Sequence, residues 1–419
     1  VRAPTRHRLR ASNAGGGTVR RGLCSSGGWV MSSCPLTYRL GAARFRSSPT
    51  IPAHTVFTVG GLYGNPHALS AVLARAAREQ TPSVVVFNGD FNFFNAEPGW
   101  WSEMNAIIRH GGRDQNRGMV RLLATQGNVE VEASAATSQG GCGCGYPSYV
   151  AAGVVGRSDE IVEQLRAAAH HPSADASILP WLRSLPPALS VDVTACAPAE
   201  PPKQSSSARI AILHGDPDSL SGWGLSAEAV DADVSNTAAG GVGHADGVAL
   251  AARATRADHV VQQAALRRQL GFDVASHERT GRKRLLRWFG ALGVRAILST
   301  HSCLAFAQDL SPTQAEALEY GLPVGQPLAV FNNGAAGMPN FAGETCGVMT
   351  RVSASTDTPP DSMYGAQVGP LRIDALPVAY DHEAWRRTFR AAWPEGSAAS
   401  ISYARRIERG PEYTRAMAV

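Results

Sequence analysis

Four polar residues from distant parts of the chain each follow a short apolar run: Asp90, Asn128, His214 and His301. Together they offer one carboxylate, one amide oxygen and two imidazoles, a donor set that suits Zn, Mn or Fe better than Ca, which prefers oxygen ligands. Taken singly, each has an ordinary structural explanation, because Gly-Asp and Gly-Asn are common turns and a buried histidine is usually a hydrogen-bonded core residue. Their shared position indicates a metal site.

The elements that would position these residues are short buried strands. Apolar runs without polar alternation are typical of strands covered on both faces in a layered α/β fold. Six runs are predicted as strands: 54–59, 83–87, 119–124, 208–213, 294–298 and 328–331. Helical periodicity is predicted at 66–80 and 97–110. Because side chains just past neighbouring strand ends converge on one crevice, the four residues are expected to lie together.

Charge and composition exclude several classes of protein. Residues 1–50 hold nine Arg and no acidic residue, whereas the remaining chain carries 30 Lys and Arg against 34 Asp and Glu, so the net charge of +5 belongs to the N-terminal segment. Nucleic acid is therefore not favoured as a partner, and the basic stretch at 279–284 is interpreted as a solvated helix end. No apolar run is long enough to span a membrane. Seven scattered cysteines favour a reducing compartment, with thiols free or metal-bound.

The domain organisation follows from composition. Residues 1–50 are predicted to be a disordered Arg-rich tail, either an organelle leader or a start assigned upstream of the true one, since the first Met is Met31. The protein is expected in the cytoplasm unless that leader is genuine. One domain is predicted over 51–355, with a surface loop at 197–207 and an insertion near 225–285 that includes a helical stretch at 248–270. Residues 356–419 are predicted to be an extension packed on the same domain.

The ordered signature of the calcineurin-like metallophosphoesterases is similar to a series in this chain: Gly-Asp at 89–90, Gly-Asn at 127–128, a lone His at 214 and Thr-His-Ser-Cys at 300–303. Four longer motifs more closely resemble an uncharacterised bacterial branch of that superfamily: GGLYGN at 60–65, GCGCGYP at 141–147, STHSCL at 299–304 and NNGAAGMPNF at 332–341. The resemblance covers about residues 54–355 and extends to the region around Tyr380, Asp381 and Trp385.

The resemblance implies an α/β (α+β) sandwich of two mixed sheets flanked by helices, in four layers. It also implies one or two divalent ions (Mn, Zn, Fe or Mg), with Asp90, Asn128, His214 and His301 matching the complete ligand set of one of them. The family's ligands for the other ion correspond to Gly61, Tyr63 and Cys303 here. The family histidine that protonates the leaving group is replaced by Val129.

Further residues are candidates for roles around this site. Tyr63 and Cys303 are either replacement metal ligands or packing residues, and Tyr63 is also a catalytic candidate. Glu130 either orients a ligand or is a solvated acid. The remaining candidates have turn or packing alternatives: Asp216 as an orienting catalytic residue, Asn332 and Asn333 as substrate-binding amides, and Cys142 and Cys144 as part of a regulatory or phosphate-facing loop.

Two functions are consistent with the sequence. The first is a phosphoesterase that hydrolyses a small phosphorylated substrate with metal-activated water, working with one ion because the second ligand set is lost. The second is a non-catalytic metal- or phosphate-binding regulatory protein on the same scaffold. The intact set of four ligands favours the first function, and the replaced residues Gly61, Tyr63, Val129 and Cys303 favour the second.

Overall fold

The computed structural model describes residues 38–111, 119–136, 141–147, 150–194, 208–227, 229–230 and 281–419. The predicted loop at 197–207, the helical stretch at 248–270 and most of the insertion near 225–285 lie outside these ranges. The described chain forms two six-stranded mixed sheets flanked by helices, which confirms the predicted fold class.

The first sheet has the strand order β11-β12-β10-β2-β3-β4. Its strands are β2 (Thr55–Val59), β3 (Ser83–Asn88), β4 (Val120–Thr125), β10 (Gly347–Ser353), β11 (Tyr364–Val368) and β12 (Leu371–Val378). β2, β3 and β4 run parallel, whereas β10, β11 and β12 are joined by antiparallel pairs. The C-terminal ends of β3 and β4 therefore lie side by side at one edge of the sheet.

The second sheet has the strand order β1-β5-β6-β7-β9-β8. Its strands are β1 (Thr50–Ala53), β5 (Ala188–Val193), β6 (Ala208–Leu213), β7 (Ala296–Ser299), β8 (Phe306–Leu310) and β9 (Leu328–Asn332). β6, β7 and β9 run parallel, which places the ends of β6 and β7 together. All six predicted strands are present in the two sheets, with ends that differ from the prediction by at most two residues.

Helices cover the outer faces of both sheets. They are α1 (Gly41–Arg46), α2 (Pro66–Ala76), α3 (Pro98–His110), α4 (Asn128–Ser134), α5 (Ala152–Ala169), α6 (Ile178–Ser184), α7 (Arg282–Leu292), α8 (Gln314–Tyr320), α9 (His382–Ala392) and α10 (Ala398–Arg409). Helix α2 begins where the sequence predicts, because Pro66 follows Asn65, whose side chain accepts hydrogen bonds from the His67 and Ala68 N–H groups. None of the helices in the described ranges is long and apolar enough to cross a membrane.

Three apolar clusters hold these layers together. The cluster between the sheets consists of strand residues such as Val56, Val84, Ile210 and Leu298. A second cluster joins the first sheet to its helices, and a third joins the second sheet to α7 and its neighbours. Burial of large apolar side chains on both faces of each sheet explains why the strands read as continuous apolar runs.

The predicted disordered tail is too long at its C-terminal end. Up to residue 37 the prediction lies outside the described residues, but residues 38–50 include helix α1 and the start of β1. Tyr38 is 1% exposed and Phe45 is 5% exposed. These two aromatic side chains bury enough apolar surface to order an otherwise Arg-rich and Ser-rich segment.

Candidate metal centre

The four predicted ligands converge across the ends of both sheets. Asp90 lies just after β3, Asn128 begins α4 after β4, His214 follows β6 and His301 follows β7. His214 Nε2 lies at the centre of the group, and three distances describe it: 3.3 Å to Asp90 Oδ1, 3.2 Å to Asn128 Oδ1 and 3.1 Å to His301 Nδ1. All four residues are buried. The strand-end positions therefore bring together the side chains that the sequence selected.

Hydrogen bonds on the outer side of the cluster fix the orientation of its members. They join His214 Nδ1 to Asn88 O at 2.9 Å, His301 Nε2 to Cys144 O at 2.7 Å and Asn128 Nδ2 to Cys142 O at 3.0 Å. Because a carbonyl oxygen can only accept a hydrogen bond, each of these nitrogen atoms carries the donated hydrogen. The opposite atoms, His214 Nε2, His301 Nδ1 and Asn128 Oδ1, then present lone pairs to the centre.

The donor set fits a bound cation. Together with Asp90 Oδ1, four atoms with lone pairs face the centre. When the side chains are neutral, none of them directs a hydrogen toward the centre. Four lone pairs facing one another repel unless a positive charge lies among them. Outward hydrogen bonds to carbonyl groups are also the usual means by which proteins orient metal-binding imidazoles. Asp90, His214 and His301 lie close enough for one ion to contact all three, and Asn128 adds an amide oxygen.

The ionisation of the histidines reflects the same crowding in the metal-free protein. Burial lowers the pKa of His214, but the charge and hydrogen bond of Asp90 outweigh it, so the pKa of His214 is raised. Burial and the neighbouring His214 lower the pKa of His301 to about 4. A divalent ion would bind the neutral imidazoles, so metal binding competes with protonation of this cluster.

Glu130 lies directly behind Asp90 and is fully buried. Its carboxylate accepts hydrogen bonds from the N–H groups of Asp90 at 2.7 Å and Gly127 at 3.2 Å. Burial and the adjacent Asp90 carboxylate raise the pKa of Glu130 to about 7. Glu130 is therefore no solvated acid, and it holds the backbone of the Asp90 turn in place.

Changing Glu130 to Gln is expected to alter the pH dependence of stability in the metal-free protein. Unfolded Glu130 ionises near 4.5, whereas the folded protein keeps its proton up to about pH 7, so wild-type stability falls as pH rises through this window. Glu130→Gln should remove a fall of about 1–3 kcal/mol between these pH values. Urea unfolding across pH 4.5 to 7.5 measures it. Equal slopes in the variant and wild type would contradict the assignment, and Glu163→Gln on the surface is the control.

Asn88 is a central residue of the site that the sequence analysis missed. Its carbonyl accepts from His214 Nδ1, its Nδ2 donates to Thr300 Oγ1 at 2.9 Å, and its Oδ1 accepts from Thr125 Oγ1 at 2.9 Å. It thereby connects the ends of β3, β4, β6 and β7 in one network. The only sequence signal was its place in the turn before Gly89 and Asp90.

Glycines let the four strand ends approach one another closely. A Cβ on Gly89, which has φ +76°, would lie 2.5 Å from His214 Nδ1. A Cβ on Gly127 would lie 2.6 Å from Asp90 Oδ1 and 2.9 Å from Glu130 Oε2. No side chain fits at either position, so the Gly-Asp and Gly-Asn pairs in the sequence let Asp90, Asn128 and His214 pack closely.

Backbone strain is also concentrated here. Within the described ranges, the non-glycine residues with positive φ are Tyr63, Asp90 and Cys303, at 53°, 54° and 58°. Left-handed backbone is unfavourable for Tyr and Cys, and such residues cluster at functional sites. All three line the same cavity. The surrounding contacts must therefore hold these turns in place.

Tyr63 stands at one of the positions that the family resemblance matched to ligands of a second ion. Its hydroxyl contacts the Cys303 thiol, and a Cβ on Gly61 would lie 2.6 Å from the Tyr63 ring. Burial raises the pKa of Tyr63 well above its ordinary value, and burial raises the pKa of Cys303 to about 11. Both groups are protonated in the metal-free protein, and the absence of a side chain at position 61 makes room for the ring.

The other predicted site residues lie away from the cluster. Asp216 accepts from the N–H groups of Asp218 at 2.9 Å and Gly224 at 3.0 Å, so it stabilises its own turn and does not orient His214. Asn332 donates to Ser302 Oγ at 2.9 Å and Asn333 donates to Thr300 Oγ1 at 3.0 Å. Neither asparagine lines the cavity. Both support the turn that carries His301.

The GCGCGYP segment contributes backbone carbonyls to the site. Cys142 and Cys144 are joined in a disulfide, so the expectation of free or metal-bound thiols is wrong for this pair. Their carbonyls accept from Asn128 and His301, and Cys144 O also accepts from Trp223 Nε1 at 3.0 Å. This role depends on main-chain atoms and could not be read from residue types.

A cavity of about 450 Å³ gives access to the cluster. Its lining includes Asp90 and His301 from the cluster, together with Tyr63, Val129 and Cys303. A small organic phosphate fits a cavity of this size. Val129 is 1% exposed and presents an apolar side chain where the resemblance implied a proton-donating histidine.

Comparisons with known proteins give fold-level likenesses. No protein-family model matches the sequence, and no curated protein matches it significantly. The structure is similar to that of a metallophosphoesterase from Sphaerobacter thermophilus, with 15% identity, TM-score 0.41, and coverage of 85% of this chain and 100% of the other. It is also similar to that of a hypothetical protein from Pyrococcus horikoshii OT3, with 12% identity, TM-score 0.44, and coverage of 85% and 99%. At TM-scores below 0.5, neither likeness decides the activity of this chain.

Proposed function

We propose that the protein is a metal-dependent phosphoesterase that uses one divalent ion held by Asp90, Asn128, His214 and His301. The observation that carries the proposal is the cluster of four lone-pair atoms, oriented by outward hydrogen bonds, beside a cavity of about 450 Å³. The sequence resemblance to calcineurin-like metallophosphoesterases supports the same activity. A phosphate ester is the proposed substrate.

The residues around the cluster have different proposed roles. A divalent ion would polarise a phosphate oxygen and lower the pKa of a water molecule beside it. Asn88, Cys142 and Cys144 orient the ligands through main-chain carbonyls, and Glu130 holds the Asp90 turn. Tyr63 is the candidate for donating a hydrogen bond to the substrate, because its hydroxyl stays protonated and it lines the cavity.

A non-catalytic metal- or phosphate-binding protein is the second candidate. Val129 offers no proton to a leaving group, and Tyr63 and Cys303, which stand at positions matched to ligands of the second ion, contact each other. These features would slow hydrolysis without disturbing the four-ligand cluster. The two candidates therefore differ in turnover.

A phosphatase assay on stripped and reloaded protein separates them. The protein is treated with a chelator, dialysed, and supplied with Mn²⁺, Zn²⁺ or Mg²⁺ before p-nitrophenyl phosphate is added. We expect turnover that depends on added metal and disappears after chelation. Metal binding without turnover would favour the binding protein, and protein that binds no metal would contradict the phosphoesterase.

A further inference from the structure

An aromatic surface extends from the metal cluster along the cavity wall. The Trp223 ring lies 5.1 Å from the His301 ring, and the Tyr146 ring lies 5.6 Å from the Trp223 ring, measured between centroids. A second pair, Phe93 and Tyr403, lines the same cavity with centroids 5.7 Å apart. A phosphate bound at the cluster would therefore have ring faces next to its organic group.

Two arginines line this cavity as well. Arg157 donates through Nε to Ser402 Oγ at 2.7 Å, and Arg406 donates to the carbonyls of Cys303 at 2.7 Å and Pro339 at 3.3 Å. Neither forms an ion pair with an acidic residue in the parts of the chain that the structure describes. Guanidinium groups without a carboxylate partner beside a metal cluster suit phosphate oxygens.

From this arrangement we infer that the cavity binds a nucleoside monophosphate, with the base against the rings of Tyr146 and Trp223 and the phosphate between the metal cluster and the arginines. Base stacking needs only a flat π face, which a pair of aromatic side chains supplies without selecting one base. The cavity volume of about 450 Å³ is in the range of small-ligand sites. The hydrolytic fate of this ligand rests on the proposed function, whereas its binding does not.

Two ligands that differ only in the base test this inference. Calorimetric titration of Mn²⁺-loaded protein compares the phosphonate analogues of adenosine 5′-monophosphate and of ribose 5-phosphate, in which a CH₂ group replaces the ester oxygen so that neither ligand is hydrolysed. We expect the nucleotide to bind at least roughly tenfold more tightly, the size of one base-stacking contact. Equal affinities, or no binding of either ligand, would overturn the inference.

Variants at Tyr146 locate the base. Tyr146→Leu removes the ring and should bring the affinity ratio of the two ligands close to one, while Tyr146→Phe keeps the ring and should preserve the ratio. A ratio unchanged by Tyr146→Leu would overturn the placement of the base. The thermal unfolding midpoint of Tyr146→Leu shows whether this variant folds. If it does not fold, the comparison of the two ligands in the wild-type protein still tests the inference.

The outcome is separable from that of the proposed function. A protein that turns over p-nitrophenyl phosphate but binds both ligands equally is a phosphoesterase without this specificity. A protein that prefers the nucleotide but shows no turnover with any metal supports the cavity assignment and contradicts the enzymatic proposal. Arg157→Gln should weaken both ligands by a similar factor, because the arginine contacts the shared phosphate.

Discussion

His214→Ala is expected to abolish stoichiometric metal binding. His214 Nε2 lies within 3.3 Å of Asp90 Oδ1, Asn128 Oδ1 and His301 Nδ1, so its removal leaves a gap at the centre of the ligand set. We expect the dissociation constant for Zn²⁺ or Mn²⁺ to rise by roughly 100-fold or more, since even the loss of a residue that only orients a ligand costs 10- to 100-fold. Metal analysis after dialysis and competition with a chromogenic chelator measure the change.

The matched control is His54→Ala. His54 is half-buried and its Nδ1 also pairs with a carbonyl, that of Thr194 at 2.9 Å, but it lies outside the cluster. This variant should keep the wild-type metal content. If His214→Ala retained its metal with unchanged affinity, the ligand assignment would be wrong, whatever the activity of the variant.

Val129→His is expected to increase turnover of esters with poor leaving groups. The wild-type cavity has an apolar side chain at this position, so an alkoxide leaving group departs without a proton donor there. A positioned general acid contributes roughly 10²–10⁴-fold, and an unoptimised histidine should supply about tenfold on an alkyl phosphate. The rate with p-nitrophenyl phosphate should change little, because that leaving group needs no proton. Steady-state kinetics with both substrates measures the contrast.

Val154→His is the control for this experiment. Val154 also lines the cavity, on α5, so the variant adds an imidazole to the same space at a different position. It should leave the ratio of the two rates unchanged. Equal gains in the two variants would attribute the effect to any added imidazole, and no gain in Val129→His would contradict the role assigned to this position.

The strand ends and the clustering of Asp90, Asn128, His214 and His301 were predictable because both leave local signals. The strands β3, β4, β6 and β7 are mostly apolar, with Arg121 in β4 and Arg209 in β6, and each of the four residues lies within three positions of the end of its strand. Six strands were not predicted, since each of their sequences mixes polar and apolar residues: β1, β5, β8, β10, β11 and β12. The parallel strands β2, β3, β4, β6, β7 and β9 were therefore predictable from local sequence, whereas the strands that complete each sheet beside them were not.

The supporting contacts of the site were not predictable for a different reason. The carbonyls of Cys142 and Cys144 orient the side chains of Asn128 and His301, and main-chain atoms carry no signature in the sequence. Asp216 and Asn332 were predicted to be site residues from their residue types, but in the structure their side chains stabilise turns. The glycine at position 61, which the resemblance matched to a metal ligand, is explained only by the structure, in which the Tyr63 ring occupies the space next to it.

The most direct test of the metal assignment is an anomalous difference map from crystals grown with Mn²⁺ or Zn²⁺. We expect one peak per chain, bounded by Asp90 Oδ1, Asn128 Oδ1, His214 Nε2 and His301 Nδ1. A map without a peak at this position, or with a second peak of equal height between Tyr63 and Cys303, would contradict the single-ion site.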